Sequence, residues 1–355
     1  MFRNSSSSSA APKSLQTVRR SNVVSVVSLV FTASMAAAVA ACADGTGPAS
    51  SPNVLSPQPA LAKGGNGGSG GSGGTYVAPR IVYIQAESWY NTGSVHTIAS
   101  DSGQSAPPTA ITIATTDGSP AWSPDFRKIA FSRTLNDSNF IYVVNASGTG
   151  PLKKIGPGYS PRWSPDGSKI AFTNVKEENG KLNRDVYVMA SNGGSVTRLT
   201  TDEGADGQPW WSPDGTRIAF SSHRTGNHEI FIMNADGTDQ TKVTKCAMEG
   251  ANCSAPSWSP VPGHNRIVFR YDGTLLGAEF SAIRIISTDG TDLTTAFITP
   301  GLTNPVWSPD ATRIAFSSLH GFRTVPDIFT IAADGTDLKQ VTQGNKRDIY
   351  PSWAP

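Results

Sequence analysis

An all-β ring of six four-stranded blades is the fold class predicted by three features of the sequence. Trp-Ser-Pro recurs at blade-like intervals, each copy heads the same series of short apolar strands, and the two ends of the repeat array are complementary halves of one further unit. The copies begin at Trp122, Trp163, Trp211, Trp258 and Trp307, with a degenerate Trp353-Ala354-Pro355 at the end. Their successive spacings are 41, 48, 47, 49 and 46 residues. Periods of that size belong to propeller blades rather than to the shorter helical solenoid repeats.

Each repeat carries its own punctuation. Ser164-Pro165-Asp166-Gly167 and Ser212-Pro213-Asp214-Gly215 fit a type I turn. Ser suits the first position, Pro presets φ at the second, and Gly suits the fourth. Seven residues after the Trp begins a second strand, Ile129-Ala130-Phe131, Ile170-Ala171-Phe172, Ile218-Ala219-Phe220 and Ile314-Ala315-Phe316. Ile267-Val268-Phe269 follows its Trp by nine, so the turn from Ser259 to Gly263 is two residues longer. Third strands are read at Ile141–Val144, Val186–Met189, Ile230–Met233, Ile283–Ile286 and Ile328–Ile331, several of them closed by Asp-Gly hairpins such as Asp236-Gly237 and Asp334-Gly335. Fourth strands are expected at segments such as Lys242-Val243-Thr244 and Gln340-Val341-Thr342. Arg80–Ile84 matches a second strand with no Trp-Ser-Pro before it, and Pro351–Pro355 matches a first strand with no second strand after it. Joined, they complete a sixth blade and remove the exposed edges.

The segment Pro209–Phe220, reading Pro-Trp-Trp-Ser-Pro-Asp-Gly-Thr-Arg-Ile-Ala-Phe, resembles the repeat of TolB-like propellers, as does Glu229–Gly237. The resemblance covers about residues 80–355. It implies a WD-like β-propeller of a kind shared with the N-terminal propellers of prolyl-oligopeptidase-type proteins, and a fold that hosts many activities.

Ahead of the repeats lie two other segments. Residues 1–41 read as a lipoprotein signal peptide, with Arg3, Lys13, Arg19 and Arg20 before an uncharged apolar run from Val23 to Ala41. Val39-Ala40-Ala41-Cys42 resembles a bacterial lipobox, which implies lipidation of Cys42 and attachment to the cell envelope. Residues 42–79, rich in Gly, Ser and Pro, bury too little apolar area to offset chain entropy and are expected to be a flexible tether between the anchor and a propeller at 80–355.

Composition narrows the function. With 29 Lys and Arg against 27 Asp and Glu, the net charge of +2 gives no basic surplus for nucleic acid. Asp125, Asp166, Asp214 and Asp310 in the Trp-Ser-Pro-Asp turns, and Asp236, Asp289 and Asp334 in the hairpins, read as turn residues rather than calcium ligands. Three further carboxylates, Asp117, Asp206 and Asp348, each stand three residues before the Pro of a first strand, where Gly158, Cys253 and Leu302 stand in the other repeats. They are expected at one mouth of the central channel, either binding a cation, an amine or a basic segment, or capping local backbone amides. Cys246 and Cys253 share one loop and are expected to form a disulfide in an oxidising compartment. His223 and His228 lack a third ligand, so no metal is expected, and no cofactor motif or nucleophile elbow is present. The reading is a non-catalytic, monomeric envelope lipoprotein that binds an envelope protein or a peptidoglycan-associated component. A lyase-like enzyme acting on polysaccharide at the channel mouth is the alternative.

Overall fold

The computed structural model describes residues 80–86, 92–100, 108–178, 180–320 and 324–354. Its 24 strands form six antiparallel sheets of four strands each. Five blades run in sequence, starting at Asp117–Trp122, Tyr159–Trp163, Asp206–Trp211, Asn252–Trp258 and Thr303–Trp307. The sixth is composite: Arg347–Trp353 pairs antiparallel with Arg80–Ala86, which continues through Ser94–Ala99 to Thr109–Ala110. The six first strands pack against one another in a closed cycle, that of the composite blade against that of the first, so they form the inner wall of the ring.

Between blades the core repeats with the sequence. The Phe of each Ile-Ala-Phe strand, Phe131, Phe172, Phe220 and Phe316, is fully buried, as are Phe269 and its counterpart Tyr83. Across the sheet each of the first four faces an aromatic partner, Tyr142, Tyr187, Phe231 or Phe329, with ring centroids 5.8–6.0 Å apart. Such directly opposed pairs on one sheet face add to burial.

Two features differ from the sequence pattern. The fourth strands of the third and fifth blades end at Lys242 and Gln340, short of Val243-Thr244 and Val341-Thr342. The reason is local: Thr244 and Thr342 accept the N–H of Ile230 and Ile328 on their hydroxyls, at 2.9 Å each, so a side chain takes the place of the next ladder bond. In addition, every first strand carries a register shift just before its Trp. At it, Ser119, Ser160, Gln208, Ala255, Asn304 and Tyr350 adopt positive φ, between 37° and 56°, and each precedes a proline. Pro has no N–H for a ladder, and it is tolerated here because the inner strand is a sheet edge and the bulge leaves it unpaired.

Closure by the Arg347–Trp353 strand makes its buried side chains sensitive. Ile349, 1% exposed, is expected to lose about 2–5 kcal/mol of stability as Ile349→Ala. Leu276→Ala at an exposed position should stay within about 0.5 kcal/mol. Urea denaturation followed by tryptophan fluorescence checks both.

Candidate functional site

The inner strands present two ends of the ring to a ligand, and the structure furnishes them differently. At their N-terminal ends stand Asp117, Asp206 and Asp348. All three are buried, with at most 3% exposure, as are Gly158, Cys253 and Leu302 at the equivalent positions. The position faces a blade boundary. In the second blade it has room for no side chain: Gly158 has φ +109°, and a Cβ there would lie 2.5 Å from the ring of Phe172.

Each aspartate is engaged at that boundary. Thr112, at the end of the composite blade, donates its hydroxyl to Asp117 at 2.5 Å while accepting the N–H of Val95 at 3.0 Å. Thr200 and Thr342 accept the N–H of Val186 and Ile328 at the corresponding blade ends, and the Thr200 hydroxyl donates to Asp185 of its own blade at 3.3 Å. Arg133 grips Asp117 with two nitrogens, at 2.5 and 3.0 Å, and Arg224 donates to Asp206 at 2.8 Å. Facing Asp348 across the strand pair is the neutral amide of Gln85, at 3.1 Å. Burial raises the pKa of all three, against the pull of their donors, and pushes Asp348 up to about 7. The third-strand acids Asp185 and Glu229 serve the same seams. Asp185 accepts from Arg198 at 2.7 Å, and Glu229 accepts from Thr244 and from the N–H groups of Cys246 and Ala247.

Cys246 and Cys253 are joined as a disulfide with Cα atoms 6.0 Å apart, tying the short 3-10 turn Cys246–Glu249 to the inner strand of the fourth blade. Glu229 lies beside them, but sulfurs bonded to each other offer no thiolate, and its oxygens already accept three donors. The turn carboxylates hold their own loops. Asp166 accepts from Ser164 Oγ at 2.5 Å and from the N–H of Ser168 at 3.0 Å, which brings its pKa down to about 2, and Asp236, Asp289 and Asp334 bind the Thr two residues on. His223 and His228 sit in edge contact, ring centroids 4.9 Å apart. Cys42 and the apolar run before it lie outside the described residues.

The opposite end, at the C-terminal ends of the inner strands, holds a cavity of about 280 Å³. Its wall is built from the tryptophan of all six repeats, from Trp210, and from the turn prolines Pro124, Pro165, Pro213, Pro260 and Pro309. Because Trp-Ser-Pro closes five inner strands and Trp353 the sixth, the repeat itself generates this ring of indole and pyrrolidine. Two indole N–H groups stitch neighbours together, Trp163 to the carbonyl of Ala121 at 3.3 Å and Trp211 to that of Arg162 at 3.2 Å.

Two side chains break the sixfold pattern. The residue just before the repeat tryptophan is Ala121, Arg162, Trp210, Ser257, Val306 or Ser352, small or aliphatic in four blades and large in two adjacent ones. The guanidinium of Arg162 lies 4.6 Å from the ring of Trp210, and both residues line this cavity and a smaller one beneath it that also touches Ser160, Gln208 and Asn304. Arg162 donates to the carbonyl of Pro161 at 2.9 Å, and no carboxylate among the described residues pairs with it. Burial lowers its pKa to about 10, which leaves it charged at neutral pH. A cation held against an indole inside an apolar ring can bind an anionic group. The sequence pattern singled out the acids and passed over Arg162, whose signal was its departure from the consensus of its own position.

A raised pKa at a buried carboxylate has a definite sign. Asp348 in the folded state takes up its proton more readily than in the unfolded chain, so its contribution is fully present below pH 3.8 and is lost as pH rises through about 7. Asp348→Asn is expected to flatten the decline of stability across that window, read from thermal melts between pH 4 and pH 8.

Comparison with known proteins gives the lineage of this ring. The chain is similar in structure to TolB from Acinetobacter baumannii, with a TM-score of 0.65 and 22% identity over 78% of this chain and 67% of that one. It is similar to the putative TolB from Agrobacterium tumefaciens, with a TM-score of 0.56 and 17% identity over 78% of this chain and 99% of that one. An oligogalacturonate lyase solved with manganese also shares the architecture, with a TM-score of 0.51 and 15% identity over 71% of each chain. The fold therefore does not by itself separate binding from catalysis. None of the curated proteins matches the sequence. The model of the TolB beta propeller domain matches residues 74–355, so the chain belongs to that family.

Proposed function

We propose that the chain is an exported envelope protein, lipidated at Cys42 and tethered through residues 42–79, whose propeller binds a protein partner without catalysis at its tryptophan-lined mouth. The observation that carries this reading is the cavity itself: a concave apolar wall of seven indoles with a charged arginine at its floor. Buried aromatic and arginine side chains around a pocket are the composition of binding hot spots. Asp117, Asp206 and Asp348 are then blade clasps, since Arg133 with Thr112, Arg224, and Gln85 respectively donate to them inside the protein. It takes the anchor and tether from sequence alone, and they would let the domain sample the volume beside a membrane.

Recognition at the mouth is checked with a photo-crosslinking amino acid at Pro165, exposed on the rim, and at Ile113, exposed elsewhere. In native cells the first is expected to capture a specific envelope protein that the second does not. Equal capture from both positions, or none from Pro165, would overturn the assignment. Anchoring is checked by Cys42→Ser, which should move the protein from the membrane pellet to the soluble fraction.

A further inference from the structure

We propose that the tryptophan-lined cavity receives the C-terminal end of a partner polypeptide, an apolar tail whose terminal carboxylate pairs with Arg162; this rests on the binding reading above and names its ligand. Four observations lead there. Arg162 is a charged group enclosed in the ring, and its guanidinium finds one carbonyl and no carboxylate among the described residues. A guanidinium presents five donors in a fixed fork that matches a carboxylate in two-pronged fashion. Its plane is braced by Trp210 at 4.6 Å, which orients it without neutralising it.

Size is the second observation. The cavity of about 280 Å³ lies at the small end of ligand pockets, roughly 300–1,000 Å³, which suits the end of a chain rather than a folded surface. Third is depth. Arg162 and Trp210 also line the smaller cavity beneath, so they form the floor that an inserted group meets last. A charge at that floor reads the tip of the ligand, and the indoles and prolines above it read what precedes the tip.

The fourth observation separates a peptide from a glycan. A sugar ring needs acceptors as well as donors for its hydroxyls, whereas what this wall has to spare is donors, the indole N–H groups of Trp122, Trp258, Trp307 and Trp353, unpartnered among the described residues. Ser164 and Ser212, two of the three serines lining it, already donate to Asp166 and Asp214, at 2.5 Å each, and accept the N–H of Lys169 and Arg217. The carbonyls and the terminal carboxylate at the end of a peptide are acceptors that such donors suit, and the carboxylate answers the one charge that lines the cavity.

The test uses the full chain and calorimetric titration with acetylated pentapeptides whose last two residues are drawn from Leu, Val, Phe and Tyr. The pool is made once with free carboxylates and once with terminal amides. The free acids are expected to bind, and the amides at least about tenfold more weakly. Arg162→Gln should erase that preference while far-UV circular dichroism stays unchanged; should the variant not fold, the acid-to-amide ratio on the native protein decides alone. Equal binding of acid and amide would overturn the proposal. So would absence of binding by both pools, or Arg162-dependent binding of trigalacturonate in their place. If Pro165 still captures a specific protein while the free acids fail, the ligand assignment falls and the binding reading stands.

Discussion

The ring depends on one long-range pairing, the antiparallel ladder between Arg347–Trp353 and Arg80–Ala86. Without it five blades would form an arc with bare faces at each end. With it the inner strands make a closed cycle, every interblade face is covered, and the two mouths acquire a fixed diameter. The seams that this closure compresses are polar as well as apolar. A threonine at the end of one blade takes a backbone N–H of that blade at four seams, and at the first of them Thr112 gives its proton to Asp117 of the next. A hydroxyl that both accepts and donates is suited to such a joint, and each buried carboxylate there has at least one side-chain donor, from Arg133, Arg224 or Gln85.

Much of this architecture was legible in the chain. The tryptophan spacing fixes the blade count, Asp-Gly hairpins and Ile-Ala-Phe runs fix the strand order, and the incomplete repeats at Arg80 and Trp353 fix the composite blade. What the chain did not disclose is direction. Counting residues puts Asp117, Asp206 and Asp348 at the right end of the inner strand. The strict alternation of a flat strand, however, cannot be carried past a bulge, and the left-handed residue before each proline resets which way the side chains turn. The neighbours at the same position were the better guide, since Leu302 and the disulfide-bonded Cys253 are core residues and mark the position as core.

Arg162 and Trp210 illustrate the converse. A repeat is recognised by what its copies share, and a site on a repeated scaffold is made by what they do not. Ala121, Ser257, Val306 and Ser352 keep the mouth narrow-walled and neutral, while two adjacent blades place a cation and an indole in contact across their seam. The sixfold framework supplies rigidity, and two substitutions at one register supply the chemistry.

The composite blade also sets a schedule. Gln85 and Asp348, which meet in it, are 263 residues apart in sequence, so the contact that completes the ring must wait for all five intervening blades. Sheets dominated by such non-local pairings fold slowly and expose unpaired edges while they wait. A chain delivered N-terminus first would hold its opening strand, Arg80–Ala86, unpartnered on one side until nearly the whole sequence had arrived. In a crowded compartment that interval is when such a protein is open to mispairing, and a factor that shields a lone β-edge would act then.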